Sequence, residues 1–331
     1  MAMAKNRQIW TWFEGRWQEG NVPIMGSADH GTWLGTMVFD GARWFDGVTP
    51  DLDRHCARVN HSAAALGLKP PMATGEIVEL ASEGCKKFSG KTALYIRPMA
   101  WSTEAGPMTV DADPDSTRFA LCIEEASLAP PDASTTLTTT RFIRPTLASA
   151  TVNAKASCLY PNNARMLKEA QEKGFSNAIC CDALGNVAET ATANIWMVKN
   201  GEYFTPIPNG TFLNGITRQR LIKLLRDKGE KVWETTLTPD DAFAALIDGR
   251  TILDLAEGLQ LRRVRVMGAH RIELSGFTDT MRDRLGAYGL FHEIISWKLR
   301  MFVPTDASGA VVLAKVLERY PVERVSEREA A

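Results

Sequence analysis

Residues 126–151 divide this chain. They are rich in proline, serine and threonine, carry the pair Pro130-Pro131, and hold a threonine-heavy strand expected over 135–142. Proline neither donates to a strand ladder nor continues a helix, so the stretch reads as a connection between two differently built bodies. A length of 331 residues is compatible with one or two domains sharing a core.

The two sides have different patterns. Upstream, Trp10, Trp12, Phe13 and Trp17 flank Glu14-Gly15-Arg16 and predict a hairpin; glycines among bulky residues over 29–45 predict close backbone packing beside a cavity. Helices are expected over 50–66, capped by Asp51 or Asp53, and over 74–87, with strands over 91–101 and 119–124. Downstream, helical spacing runs from 162 to Gly174, a hairpin spans 177–189, and a strand over 194–198 turns at Asn200-Gly201 into Tyr203-Phe204. A further helix over 218–228 is opened by Gly215-Ile216-Thr217 and ended by Gly229. The whole reads as an α/β (α+β) protein without internal repeats.

Composition excludes several classes. Thirty-eight basic against 39 acidic residues leave a net charge of -1, which gives no electrostatic case for nucleic acid or an anionic membrane. No apolar run approaches the ~20 residues of a membrane helix, and the first residues lack the apolar stretch of a secretory signal. The six cysteines include no C-x-x-C, so neither a metal site nor a disulfide framework is expected. Free thiols fit a cytoplasmic protein.

Three places carry chemistry. Lys155 lies in Asn153-Ala154-Lys155-Ala156-Ser157, among small uncharged residues, with Tyr160 five positions on. Such a lysine can be partly desolvated, which favours the neutral amine that forms Schiff bases; the same segment also suits an ordinary solvated lysine before a helix. Gly215-Ile216-Thr217 at a helix start can offer backbone N–H groups and a hydroxyl to a phosphate, although most helix starts bind only water. Glu189, in a run of small residues, is either a solvated turn glutamate or a buried carboxylate needing a protonated partner such as a pyridinium nitrogen.

Together these segments resemble the branched-chain aminotransferase-like family, the fold-type-IV pyridoxal-phosphate enzymes. The resemblance rests on Asn153-Ala154-Lys155-Ala156 with Tyr160, on Asp182-Ala183-Leu184-Gly185-Asn186-Val187-Ala188-Glu189 with Asn194, and on Phe204-Thr205-Pro206 leading to Leu213-Asn214-Gly215-Ile216-Thr217-Arg218. Tyr95-Ile96-Arg97-Pro98 and Arg54 to Arg58 are also similar to family segments, and the match covers about residues 8 to 240.

The resemblance implies pyridoxal 5'-phosphate as cofactor and Lys155 as the catalytic Schiff-base lysine and proton shuttle. It further implies Tyr160 at the cofactor's phenolic oxygen, Glu189 at its ring nitrogen, Leu213 on its ring face, and Arg58 with Gly215, Ile216 and Thr217 at its phosphate. The expected substrates are a hydrophobic, branched-chain-like L-amino acid and a 2-oxoacid such as 2-oxoglutarate. Tyr95 and Arg97 are expected near the substrate carboxylate, with Trp33, Phe39 and Trp101 as hydrophobic lining. A homodimer or higher homo-oligomer is implied. The domain reading is a small N-terminal α+β domain over 1–144, a larger cofactor-binding pseudo-barrel domain over 145–294, and an unassigned extension over 295–331.

Two departures widen the reading. Leu34 stands where the family usually has an aromatic hydroxyl, and residues 104–110 only loosely match its glycine-rich specificity loop, so an amine or D-amino-acid transaminase or an aminodeoxychorismate-type lyase stays open. Beyond Pro239 the family's phosphate-completing turn is absent, which points to a lineage-specific replacement or a shifted reading frame and leaves a catalytically impaired homologue open. Residues 278–286 are expected to be helical, and 318–331 a solvated helix or frayed tail.

Overall fold

The computed structural model describes residues 7–89, 92–129, 135–199 and 201–239, together with the backbone of five short strands beyond them. Two compact units emerge, one built from Met1–Pro130, Pro145–Asn162 and Gly210–Gln219, the other from Pro131–Arg144, Asn163–Asn209 and Arg220–Ala331.

The first unit is an antiparallel sheet backed by two helices. The aromatic hairpin forms as expected, β1 (Ile9–Phe13) with β2 (Arg16–Glu19), and Glu14 and Gly15 take the positive φ of its tight turn. A short helix α1 (His30–Trp33) precedes β3 (Met37–Phe39) and β4 (Ala42–Trp44), followed by helices α2 (Leu52–Ala65) and α3 (Thr74–Cys85) and strands β5 (Leu94–Ser102) and β6 (Thr117–Glu125). Strand order is β2-β1-β6-β5-β3, with β4 also on β5. Asp51 occupies the N-cap of α2 but in a left-handed conformation (φ 53°) and without a side-chain capping bond, contrary to the capping role expected of it.

Both faces of this sheet are covered. On one, Cys56, Val59 and Ala63 of α2 and Ile77 and Ala81 of α3 pack with Leu94, Ile96, Leu121 and Ile123. On the other, Met99, Trp101, Ala120 and Cys122 pack with Phe13, Ile24, Met25 and Phe39. Each large side chain removed from water in this way stabilises the unit by roughly 1.5–3 kcal/mol. Pro98 sits in β5, where a missing N–H would normally break a ladder. It is tolerated because β3 pairs with residues 99–101 of β5 and β4 with residues 94–96. Pro98 therefore faces the gap between them, where Asp40 donates its N–H to the Pro98 carbonyl (3.0 Å).

The second unit uses strand–helix–strand crossovers. β7 (Leu137–Ile143) runs parallel to β8 (Asn177–Cys181) across α4 (Tyr160–Glu172), and β9 (Val187–Thr190) returns antiparallel to β8. Then β10 (Met197–Lys199) pairs antiparallel with β11 (Glu202–Pro206), which pairs parallel with β12 (Val232–Thr235) across α5 (Ile216–Asp227). Strand β10 starts at Met197 instead of the expected 194; a turn closed through Thr190 Oγ1 ends at Ala193, and the Ile195 carbonyl accepts from the Thr205 hydroxyl (2.9 Å) instead of a ladder N–H.

Beyond residue 239 the described strands are β13 (Arg263–Val266), β14 (Arg271–Ser275), β15 (Glu293–Ile295), β16 (Lys298–Phe302) and β17 (Val322–Arg324), in the order β15-β16-β14-β13-β17. The charged end is thus not wholly helix or tail, since Val322–Arg324 pairs parallel with β13. The helix expected over 278–286 lies outside the described residues.

Candidate active site

Lys155 is fixed by its backbone before its side chain comes into play. Its N–H donates to Ser62 Oγ of α2 (3.0 Å), its carbonyl accepts from Phe39 N of β3 (3.1 Å), and Ala156 bridges Val38. Ser157 Oγ adds a bond to the Met37 carbonyl (3.1 Å). Ala154 and Ala156 are fully buried where this segment passes between strand and helix, which explains the run of small residues. A larger side chain would push the backbone off its partners.

The half-buried Lys155 side chain ends against aromatic groups. Its Nζ donates to the Tyr160 hydroxyl (2.9 Å) and lies 4.9 Å from the Phe39 ring centre, while the Phe39 and Tyr160 rings are 5.0 Å apart. A 3-10 turn at Ser157–Leu159 brings Tyr160, the first residue of α4, back toward the lysine. The structure thus joins three residues singled out from the sequence.

Arg58 is held by a residue that sequence reading missed. Asp40, fully buried between β3 and β4, accepts from Arg58 Nε (2.6 Å) and Nη2 (2.8 Å) and from the Gly41 N–H (2.7 Å), and it meets His55 Nδ1 at 2.6 Å. Burial by itself would raise the Asp40 pKa, but the hydrogen bonds and charges of Arg58 and His55 bring it down to about 2. Arg58 Nη1 has no hydrogen bond among the described residues. Its signal in the sequence was a carboxylate inside the apolar run Val38-Phe39-Asp40-Gly41 with His55 and Arg58 three apart on one helix.

The start of α5 is tied to α2. Arg54, one turn before Arg58, donates to Gln219 Oε1, Gln219 Nε2 bonds the Asn214 carbonyl (2.8 Å), and Arg218 Nη1 bonds Asn214 Oδ1 (2.7 Å). The N–H groups of Ile216 and Thr217 belong to the first turn and have no intrahelical acceptor. Leu213 and Gly215 immediately precede them in the same unit.

The residues expected around a substrate separate. Tyr95 lies between the guanidinium groups of Arg43 (5.2 Å) and Arg97 (4.9 Å), with its hydroxyl against Gly41. Arg97 gives Nη2 to the buried Glu124 (2.5 Å), which also pairs with Arg7 (2.9 Å), so its fork is partly spent inside the sheet. Trp33 is exposed on α1, with its ring edge against His30 (5.8 Å). Trp101 is fully buried, its ring against Phe13 (5.9 Å) and its Nε1 donating to Asp29 (3.1 Å). It belongs to the core and not to an open lining, because its strand position faces the apolar layer under α1.

In the second unit Glu189 lies on β9, opposite Cys180. Its Oε1 pairs with Arg144 Nη2 (3.2 Å) and its Oε2 accepts from Asn194 Nδ2 (3.3 Å). Arg144, itself buried, is steadied by Asn163 Oδ1 (2.5 Å), and Asn163 bonds the Ala191 carbonyl (2.9 Å). Burial, with the Glu189 charge adding to it, pushes the Cys180 thiol up to about 12 and keeps it protonated. Asp182 closes the β8–β9 turn by accepting from the N–H groups of Leu184 and Asn186 (both 2.9 Å). Sequence reading did not single out Arg144; its signal was a lone cation in Phe142-Ile143-Arg144-Pro145.

Among the described residues, no helix is long and apolar enough to cross a membrane. Residues 37–246 match the family model described as amino-transferase class IV. A probable branched-chain-amino-acid aminotransferase of Rickettsia conorii is 31% identical over 242 residues, covering 72% of this chain and 81% of the relative. The Escherichia coli K12 branched-chain-amino-acid aminotransferase is 29% identical over 258 residues, covering 73% and 81%. Among solved structures, an aminotransferase from Brucella abortus bound to the cofactor PLP is 49% identical, with a TM-score of 0.70 over 85% of this chain and 97% of that one. The expected fold-type-IV architecture is therefore the observed one, and the chain belongs to the class IV aminotransferases.

Proposed function

We propose that this protein is a pyridoxal-phosphate-dependent aminotransferase moving the amino group between a hydrophobic, branched-chain-like L-amino acid and a 2-oxoacid such as 2-oxoglutarate. The observation that carries the reading is the Lys155 amine held 2.9 Å from the Tyr160 hydroxyl, in the same compact unit as Arg58 and the first turn of α5. Bound pyridoxal phosphate supplies an aldehyde for amine exchange and a ring that takes up the electron pair freed at the substrate α-carbon. The donor set fits that group: an amine beside a phenol for the aldehyde and phenolic oxygen, and a guanidinium edge with two first-turn backbone N–H groups for the phosphate.

The chain's own residues then have distinct tasks. Lys155 Nζ anchors the aldehyde and, once released, carries the proton taken from the substrate α-carbon. The Tyr160 hydroxyl orients that amine and hydrogen-bonds the phenolic oxygen. Arg58 Nη1, the Ile216 and Thr217 N–H groups and the Thr217 hydroxyl bind the phosphate, with Gly215 allowing its approach and Leu213 covering the ring. Glu189, steadied by Arg144, keeps the ring nitrogen protonated. Phe39 and Trp33 favour an apolar substrate side chain, Tyr95 and Arg97 serve its carboxylate side, and Trp101 supports them from the core. The names of the curated relatives favour branched-chain substrates, and the same reading makes the enzyme a cytoplasmic homodimer or higher homo-oligomer.

The purified chain mixed with pyridoxal phosphate tests this. An absorption band that shifts on adding L-leucine, and glutamate release when 2-oxoglutarate follows, are expected; Lys155→Ala abolishes both. A protein that stays colourless in excess cofactor overturns the reading.

A further inference from the structure

We propose that Asp40 is a positioning residue for the cofactor phosphate, its carboxylate gripping Arg58 by the Nε edge so that Nη1 is the edge left for an anion. The inference rests on the pyridoxal-phosphate reading above.

The grip is side-on. Asp40 Oδ2 takes Nε and Oδ1 takes Nη2, at 2.6 and 2.8 Å. Two parallel charge-assisted bonds fix the plane of the guanidinium, which a single contact would not. Asp40 is in turn immobile: it is fully buried, its Oδ1 accepts from Gly41 N, its other neighbour is His55 Nδ1, and its backbone N–H is bonded to Pro98.

A buried ion pair can serve the fold alone. Two observations point beyond that. The Arg58 side chain remains 18% exposed while its partner is sealed, so the cation is not wholly enclosed by the core. One turn earlier on α2, Arg54 reaches Gln219, and so the helix that carries the fixed cation is bonded to the start of α5, where Ile216 and Thr217 present N–H groups with no intrahelical acceptor. A cation and a helix start linked by one helix form a site for a dianion.

Lysine at position 58 would carry the same charge with a single ammonium, which Asp40 would occupy. Charge alone is therefore not what the site needs.

The test compares pyridoxal phosphate with pyridoxal, which lacks the phosphate, on full-length cofactor-stripped protein, reading the absorbance of the Lys155 adduct. Asp40→Asn is expected to weaken pyridoxal phosphate at least about tenfold while pyridoxal stays within about twofold, as expected for loss of charge-assisted bonds to one group. Arg58→Lys should do the same. Equal weakening of both ligands, or of neither, overturns the inference. Should Asp40→Asn fail to fold, Arg58→Lys decides, and an undiminished preference for the phosphorylated ligand overturns it. A wild-type chain that forms no adduct with either ligand overturns the functional reading and this inference with it. A wild-type preference that survives Asp40→Asn overturns this inference alone.

Discussion

The Lys155 amine and the Tyr160 hydroxyl meet at 2.9 Å although a 3-10 turn lies between their backbones. The pair is half-open to solvent, and the Phe39 ring lies alongside Lys155 Nζ. Removing the hydroxyl leaves the amine with the ring but without its acceptor. Tyr160→Phe is therefore expected to retain the cofactor band and lower kcat by about tenfold, the worth of one well-placed hydrogen bond. Absorbance spectra and steady-state rates measure both.

The backbone of Lys155 depends on Ser62. Its hydroxyl oxygen, fully buried in α2, is the acceptor for the Lys155 N–H at 3.0 Å. Ser62→Ala leaves that N–H unsatisfied and is expected to destabilise the protein by about 1 kcal/mol. Urea unfolding gives the stability change, and slower adduct formation by Lys155 should accompany it.

Gly41 has no room for a side chain. A Cβ there would run into the Tyr95 hydroxyl and come within 2.6 Å of its ring carbon Cζ. Gly41→Ala is expected to cost about 1–3 kcal/mol through overpacking. Adding Tyr95→Ala, which clears the ring, should restore part of the loss, and a double-mutant cycle of thermal melts reads that coupling.

Acid should weaken the first unit through Asp40. Its pKa falls from 3.8 to about 2 on folding, so its contribution is fully present above the unfolded value and is lost as pH drops through the folded one. The shift corresponds to roughly 2 kcal/mol, lost between about pH 4 and pH 2. Chemical unfolding across that window should show the loss in wild type and a flatter profile in Asp40→Asn.

Much of the fold could be read along the chain because its signals are local. The hairpin at Trp10–Trp17, the helices around Val59 and Met166 and the turn after Cys181 each declare themselves by spacing and glycine, and the structure contains them. Lys155 and Tyr160 were also legible, being five residues apart. What could not be read were pairings between remote segments. Asp40 finds Arg58 only because β3 is laid against α2, and Arg97 is drawn to Glu124 only because β5 and β6 are in register. Trp101 shows the same limit from the other side: an aromatic in a strand implies burial, but which layer receives it is decided by the sheet.

One feature of the first unit bears on how the protein is made. Its chain leaves after Pro130, returns for residues 145–162, and returns again for 210–219. A ribosome must therefore deliver Lys155 before Phe39 has its hydrogen-bond acceptor, and must deliver Gln219 before Arg54 can reach α5. At about 5–20 residues per second, the early strands wait several seconds with those positions open. A nascent chain stalled near residue 144 would hold Arg58 and Asp40 but neither Lys155 nor the helix start, and the order of synthesis alone makes Lys155 one of the last pieces to lock its own sheet.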